Sequence, residues 1–134
     1  MQGARIREAV VQSLRQTLKG ASDVERITAR LALKSVRPRE LSGLRDTLQL
    51  LPELVAELPD LSALLKQMRA DLDTPQDALK LLTEALQADP AARVQDGGVI
   101  AGGYSPDLDE LRGLQSNASG FLVALEARER ERTA

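Results

Sequence analysis

Between Leu41 and Leu58 the chain places Leu41, Leu44, Leu48, Leu51, Val55 and Leu58 at spacings of 3, 4, 3, 4 and 3. No other stretch narrows the possible folds so far, because this spacing lays one apolar stripe along a helix that must pack against helices running nearly parallel or antiparallel to it. Pro52 lies inside the stripe. It has no amide hydrogen and crowds the carbonyl four residues back, so a kink or restart is expected at Leu51 or Pro52, with the apolar face carried across.

Shorter stripes flank this one. Ile6, Val10, Leu14 and Leu18 recur every fourth position, with Val11 beside them, and Gly20 is expected to end that helix. Ser22-Asp23-Val24-Glu25 fits a capping box, with Ser22 accepting from the Glu25 amide, ahead of a stripe of Val24, Ile27 and Leu31. Arg37-Pro38 restarts the chain with proline at a first helical position. Asp60 is expected to cap a fourth helix that buries Leu61, Leu64, Leu65, Met68 and Leu72. Thr74, Pro75 and Asp77 begin a fifth, with Ala78, Leu82, Ala85 and Leu86 inward, and Asp89-Pro90 stops it.

Composition supports packed helices. Tyr104 and Phe121 are the two aromatic residues among 134, so the core must come from Leu, Val, Ile and Ala, a composition that suits a stacking platform for single-stranded nucleic acid poorly. The length suits one domain, expected over residues 1–134, with residues 1–3 compatible with a vector-derived leader. The absence of Cys and His removes thiol chemistry, disulfides and the usual zinc ligands. With 18 basic and 20 acidic residues well mixed, the net charge is −2, unlike a domain that grips DNA through its own phosphate contacts. No apolar run approaches a membrane span and no signal peptide is visible, which fits a cytoplasmic protein.

The chain changes character near residue 94. Val94 and Gln95 are expected to face Val99 and Ile100 across Asp96-Gly97-Gly98, in a short β-like hairpin over about 94–100. Gly102-Gly103 turns the backbone again within a hairpin and turn insertion, 94–105. Ser105-Pro106 then caps a last helix, 106–132, whose seam is Leu111, Leu114, Ala118, Phe121 and Leu125. Beyond Leu125 the run Glu126-Ala127-Arg128-Glu129-Arg130-Glu131-Arg132 has no apolar stripe, but it has helical charge partners. The fold class is therefore all-α: an elongated multi-helix bundle with one β-like hairpin before a long C-terminal helix.

Local chemistry is sparse. Gly98 to Ser105 carries the glycine spacing of a phosphate loop, but Tyr104 stands where the lysine belongs and no buried strand precedes it, so a turn is the better reading. Asn117-Ala118-Ser119 matches a glycosylation acceptor, yet sits in an expected helix. The pairs Asp107/Glu110 and Asp71/Asp73 lack the pattern of a metal loop and read as exposed helix-end charge. Lys34, Arg37 and Arg39 form a compact basic patch that reads as solvated. Arg128, Arg130 and Arg132 alternate with glutamates, which weakens a nucleic-acid arm. No catalytic, cofactor-binding or metal residue is assigned.

Three ordered blocks then carry a resemblance. The run from Asp23 to Leu33, DVERITARLAL, with Arg37-Pro38-Arg39-Glu40-Leu41 and Leu51-Pro52-Glu53-Leu54, closely resembles the core domain of the MutS family of DNA mismatch-repair ATPases. The run from Asp96 to Tyr104, DGGVIAGGY, followed by Leu108-Asp109-Glu110-Leu111-Arg112 and Glu129-Arg130-Glu131-Arg132-Thr133, is similar to the part of that family where the chain enters a long lever helix toward the clamp. The resemblance implies a non-enzymatic core and lever segment that connects the ATPase end to the DNA clamp. Its implied partners are the remaining domains of the same protein, and mismatched duplex DNA only through the intact protein. ATP and Mg are implied for the intact protein and none for this segment, since the mismatch-probing Phe-x-Glu element and the G-x-x-x-x-G-K-[ST] loop have no counterpart here. The segment reads as an excised piece, with clamp and returning lever beyond it. The other reading of the same chain is a free-standing helical adaptor that binds another helix along a Leu seam, and an uncovered seam implies self-association.

Overall fold

The computed structural model describes residues 2–133, so Met1, in the expected leader, and Ala134, at the end of the expected domain, lie outside the described residues. Six α-helices follow in order: α1 (Gln2–Leu18), α2 (Val24–Ala32), α3 (Pro38–Glu57), α4 (Ala63–Asp71), α5 (Gln76–Ala85) and α6 (Pro106–Thr133). A single turn of 3-10 helix, Val94–Asp96, lies between α5 and α6. The chain divides into two compact units, one ending at Ala101 and one beginning at Gly102.

In the first unit α3 packs against α1, α2 and α5. The leucine stripe explains why. Leu48 and Leu58 are buried, and Leu41, Leu44, Leu51 and Val55 are half-buried along the same face. Proline does not break the element. Helix α3 runs unbroken through Pro52, so the expected restart does not occur; the missing donor falls near the end of a 20-residue helix whose packed face is already set.

Helix α2 reaches α3 through Ile27, 5% exposed, while Val24 and Leu31 stay largely in solvent. The close approach is at Gly43, where an added Cβ would stand 2.6 Å from Ser22 Oγ. Beside it Thr47 Oγ1 donates to Gly43 O at 2.7 Å and accepts from Ser22 N at 2.8 Å. That bond occupies the Ser22 amide that a capping box would pair with the Glu25 side chain. Asp23 takes over, its carboxylate accepting from Arg26 N at 3.1 Å, which corrects the expected Ser22–Glu25 box. Helix α1 is tied to the end of α3 where Thr17 Oγ1 lies 3.0 Å from each Glu57 carboxylate oxygen.

The exit from α2 is a Schellman turn. Ser35 N donates to Arg30 O, Lys34 N donates to Leu31 O, and Lys34 adopts φ +56°, a left-handed conformation unusual for a residue with a Cβ. Glu40 then joins the two helices. Its Oε2 accepts from Arg37 N at 2.8 Å and from Arg30 Nε at 2.9 Å, while Arg30 Nη2 donates to Ser35 O. The Arg37 amide, then the Arg30 and Arg26 guanidiniums, hold the Glu40 carboxyl below its ordinary value.

Helices α4 and α5 depart from expectation in detail. Ser62, not Asp60, caps α4, its hydroxyl accepting from Leu65 N at 3.2 Å. Serine one residue from the first turn reaches the amide; Asp60 instead lies 3.6 Å from Lys66. The expected buried face of α4 is largely in solvent, with Leu61, Leu64 and Met68 exposed and Leu65 and Leu72 half-buried. On α5 Ala78 is exposed and Leu82 and Ala85 half-buried, and the helix stops at Ala85, ahead of Asp89-Pro90, because Leu86 turns to extended backbone.

The second unit is helix α6 and the turn that starts it. Ser105 Oγ accepts from Leu108 N at 3.3 Å, so the expected cap is present. At 28 residues α6 is about 42 Å long at 1.5 Å per residue. Every residue from Gly113 to Thr133 is exposed.

Candidate functional site: an arginine-clamped strap ahead of the long helix

Residues 85–101 leave α5 and return beside its end, forming a strap. Leu86 and Ile100 make an isolated antiparallel bridge. Gln87 N donates to Val99 O at 2.9 Å, Ala101 N donates to Ala85 O at 2.8 Å, and Gln87 Nε2 reaches Ile100 O at 3.2 Å. This corrects the expected hairpin. Ile100 pairs with Leu86 rather than with the Val94-Gln95 side, and Val94–Asp96 is a 3-10 turn. Gly97 (φ +73°) and Gly98 (φ +68°) do supply left-handed backbone, but they use it to leave that turn.

The strap is held from below by Arg45 in the middle of α3. Arg45 is only 8% exposed. Nη1 donates to Gln87 O at 3.0 Å, Nη2 to Ala88 O at 2.9 Å and Nε to Asp46 Oδ1 at 3.1 Å. A guanidinium carries five donors in a fixed plane, so one side chain spans two consecutive carbonyls while its charge is shared with an acidic neighbour. Leu86 is buried at 6% exposure and Pro90 is fully buried, so the strap is seated by apolar burial as well. Arg39 Nε approaches Pro90 O at 3.5 Å, a weak contact at the limit of hydrogen bonding.

The strap ends where the glycine-rich turn begins. Gly103, at φ +85°, donates its amide to the Asp109 carboxylate at 3.0 and 3.2 Å. An amide that would face a bound phosphate is thus committed to a carboxylate of the chain itself, and no lysine is at hand. The residues of this turn do not fit a nucleotide phosphate.

The remaining candidates are scattered. Asn117 and Ser119 are exposed on α6, as are Asp107 and Glu110 at its start. Asp71 accepts from Gln67 at 2.8 Å and Asp73 is exposed. Among the described residues no group of three or more acidic side chains is placed to hold a metal ion. Arg130 pairs with Glu126 and Arg132 lies 3.9 Å from Glu129, so these arginines engage glutamates of their own helix. Lys34, Arg37 and Arg39 are all exposed; Lys34 follows α2, Arg39 approaches the strap at Pro90 O, and Arg37 shares a cleft with Arg93.

Sequence reasoning missed Arg45 and Arg93. Arg45 lies between Leu44 and Leu48 and reads as an outward polar position. Its one visible signal is its place beside the seam.

A match to a known family spans residues on both sides of the division between the two units. The family described as MutS domain III matches residues 4–133, nearly the whole chain. The match runs through α2, the strap and α6, the same parts that carry the ordered sequence blocks. The chain therefore belongs to the MutS domain III family.

Proposed function

We propose that this chain is the non-catalytic core and lever segment of a MutS-type mismatch-repair protein, transmitting rigid-body displacement between the ATPase end and the DNA clamp. Its family supports a segment of a mismatch-repair protein outside the ATPase site. The observation that carries the mechanical reading is the strap. A lever transmits displacement only if the chain ahead of it does not flex, and here residues 85–101 are closed by the Gln87–Val99 and Ala101–Ala85 bonds and held to α3 through a buried arginine. ATP with Mg belongs to another domain of the intact protein, and mismatched duplex DNA is met through that protein. No helix among the described residues is long and apolar enough to cross a membrane, which accords with a cytoplasmic assignment.

The natural reading frame tests this proposal. Continuation past Ala134 through a clamp and a phosphate loop supports it, and a stop codon directly after Ala134 would sink it. A second reading, a helical adaptor, draws on the exposure of Leu111, Leu114, Phe121, Leu122 and Leu125 on α6. An apolar stripe of that length attracts a partner helix or a second copy of the chain. Pull-down of a helical partner by a chain encoded alone would favour it over the lever.

A further inference from the structure

Arg37, just ahead of α3, and Arg93, just ahead of the 3-10 turn, line one open cleft of about 690 Å³ in the first unit. Most of the remaining wall is aliphatic, from Val36, Pro38, Ala92 and Val94. Among the described residues no carboxylate lines the cleft and neither guanidinium has a hydrogen bond or ion pair. Glu40, the acidic group nearest in sequence to Arg37, is committed to the Arg37 amide and to Arg30. Two unpaired guanidiniums lining one cleft give it a positive character that favours an anionic occupant. The first turn of α3 does not supply the anion site, since Glu40 N is bonded to Arg37 O. The available charge is on the two side chains.

We propose that this cleft docks an acidic, partly apolar peptide segment of another protein domain. Its carboxylates meet Arg37 and Arg93, whose planar forks suit bidentate pairing, and an aliphatic side chain lies against Val36, Pro38, Ala92 and Val94. The chemistry disfavours nucleic acid. A phosphodiester backbone calls for a row of cations, commonly about 6–10 contacts, and single strands call for aromatic faces. Here two guanidiniums stand over an aliphatic wall in a chain of net charge −2.

The test titrates the blocked peptide acetyl-Glu-Leu-Glu-Leu-amide into the isotope-labelled chain and follows amide shifts. Acetyl-Gln-Leu-Gln-Leu-amide, a 20-base-pair duplex and inorganic phosphate are titrated in parallel. The expected result is saturable shifts at Val36, Arg37 and Ala92–Gln95 with the acidic peptide, and at least about tenfold weaker binding by R37Q/R93Q. Both arginines are exposed, so the double variant should keep its melting temperature, and R7Q/R69Q, on α1 and α4, serves as a charge-matched control that binds normally. Equal binding of the Gln peptide, unchanged affinity in R37Q/R93Q, phosphate binding as tight as the peptide, or duplex binding that alone depends on the two arginines would each overturn the proposal.

Discussion

Replacing Arg45 with methionine tests the strap at its anchor. Methionine keeps much of the aliphatic stem and donates nothing, so Gln87 O and Ala88 O both lose their partner. A hydrogen bond from a charged donor contributes about 1.5–3 kcal/mol, and Arg45 is too buried for water to replace it easily. The Asp46 contact adds little, because that carboxylate is 57% exposed. The expected loss from the two bonds is therefore about 3–6 kcal/mol. At roughly 3 °C per kcal/mol for a chain of this size, the melting midpoint should fall by about 9–18 °C. Hydrogen exchange locates the damage. The Gln87 and Ala101 amides, which close the strap, should lose protection by about 100-fold or more, while α1 and α2 amides change less. R45K, a point donor without the fork, should restore less than half of the lost stability. A loss under about 1 kcal/mol, or unchanged exchange at Gln87 and Ala101, would refute the reasoning.

Four further outcomes follow from separate features. Lys34→Gly should stabilise the chain by about 0.5–1 kcal/mol in chemical denaturation, since the left-handed conformation strains a residue with a Cβ more than glycine's extra unfolded freedom costs. Gly43→Ala should change stability by under about 1 kcal/mol alone, because helix propensity offsets the contact with Ser22 Oγ; combined with Ser22→Ala it should stabilise, giving a measurable coupling in a double-mutant cycle. The Glu40 carboxyl is depressed in the folded state, so its contribution is present above the unfolded value, 4.5, and disappears as pH falls through the lower folded value; E40Q should flatten that acid limb of a stability–pH profile. In titration at physiological salt the isolated chain should bind duplex DNA only weakly, and sub-micromolar affinity would contradict the charge argument.

Local signals carried much of the architecture. The leucine stripe located α3, and Ser105-Pro106 located the start of α6, because both depend on residues within one or two turns. The errors arose where a distant group outbid a local one. Thr47 took the Ser22 amide that a capping box would have paired with Glu25, and Ile100 found Leu86 instead of a neighbour across the glycine turn. The length of α5 was misjudged for the same reason, since Ala85 and Gln87 are engaged by Ala101 and Val99. On α4 the apolar period was sound, but periodicity says which residues share a face and not whether anything covers it. Arg45 and Arg93 were illegible as functional positions because their meaning lies in partners far along the chain.

The lever account is tested most directly in the intact protein carrying this segment. ATP-driven release from mismatched duplex is timed for the parent and for R45M, beside DNA affinity without nucleotide and ATP hydrolysis without DNA. The account predicts slowed release with the other two quantities retained, because loosening the strap lets displacement dissipate before it reaches the lever. Release at the parental rate, in a variant whose Gln87 and Ala101 amides have lost their protection, would contradict it.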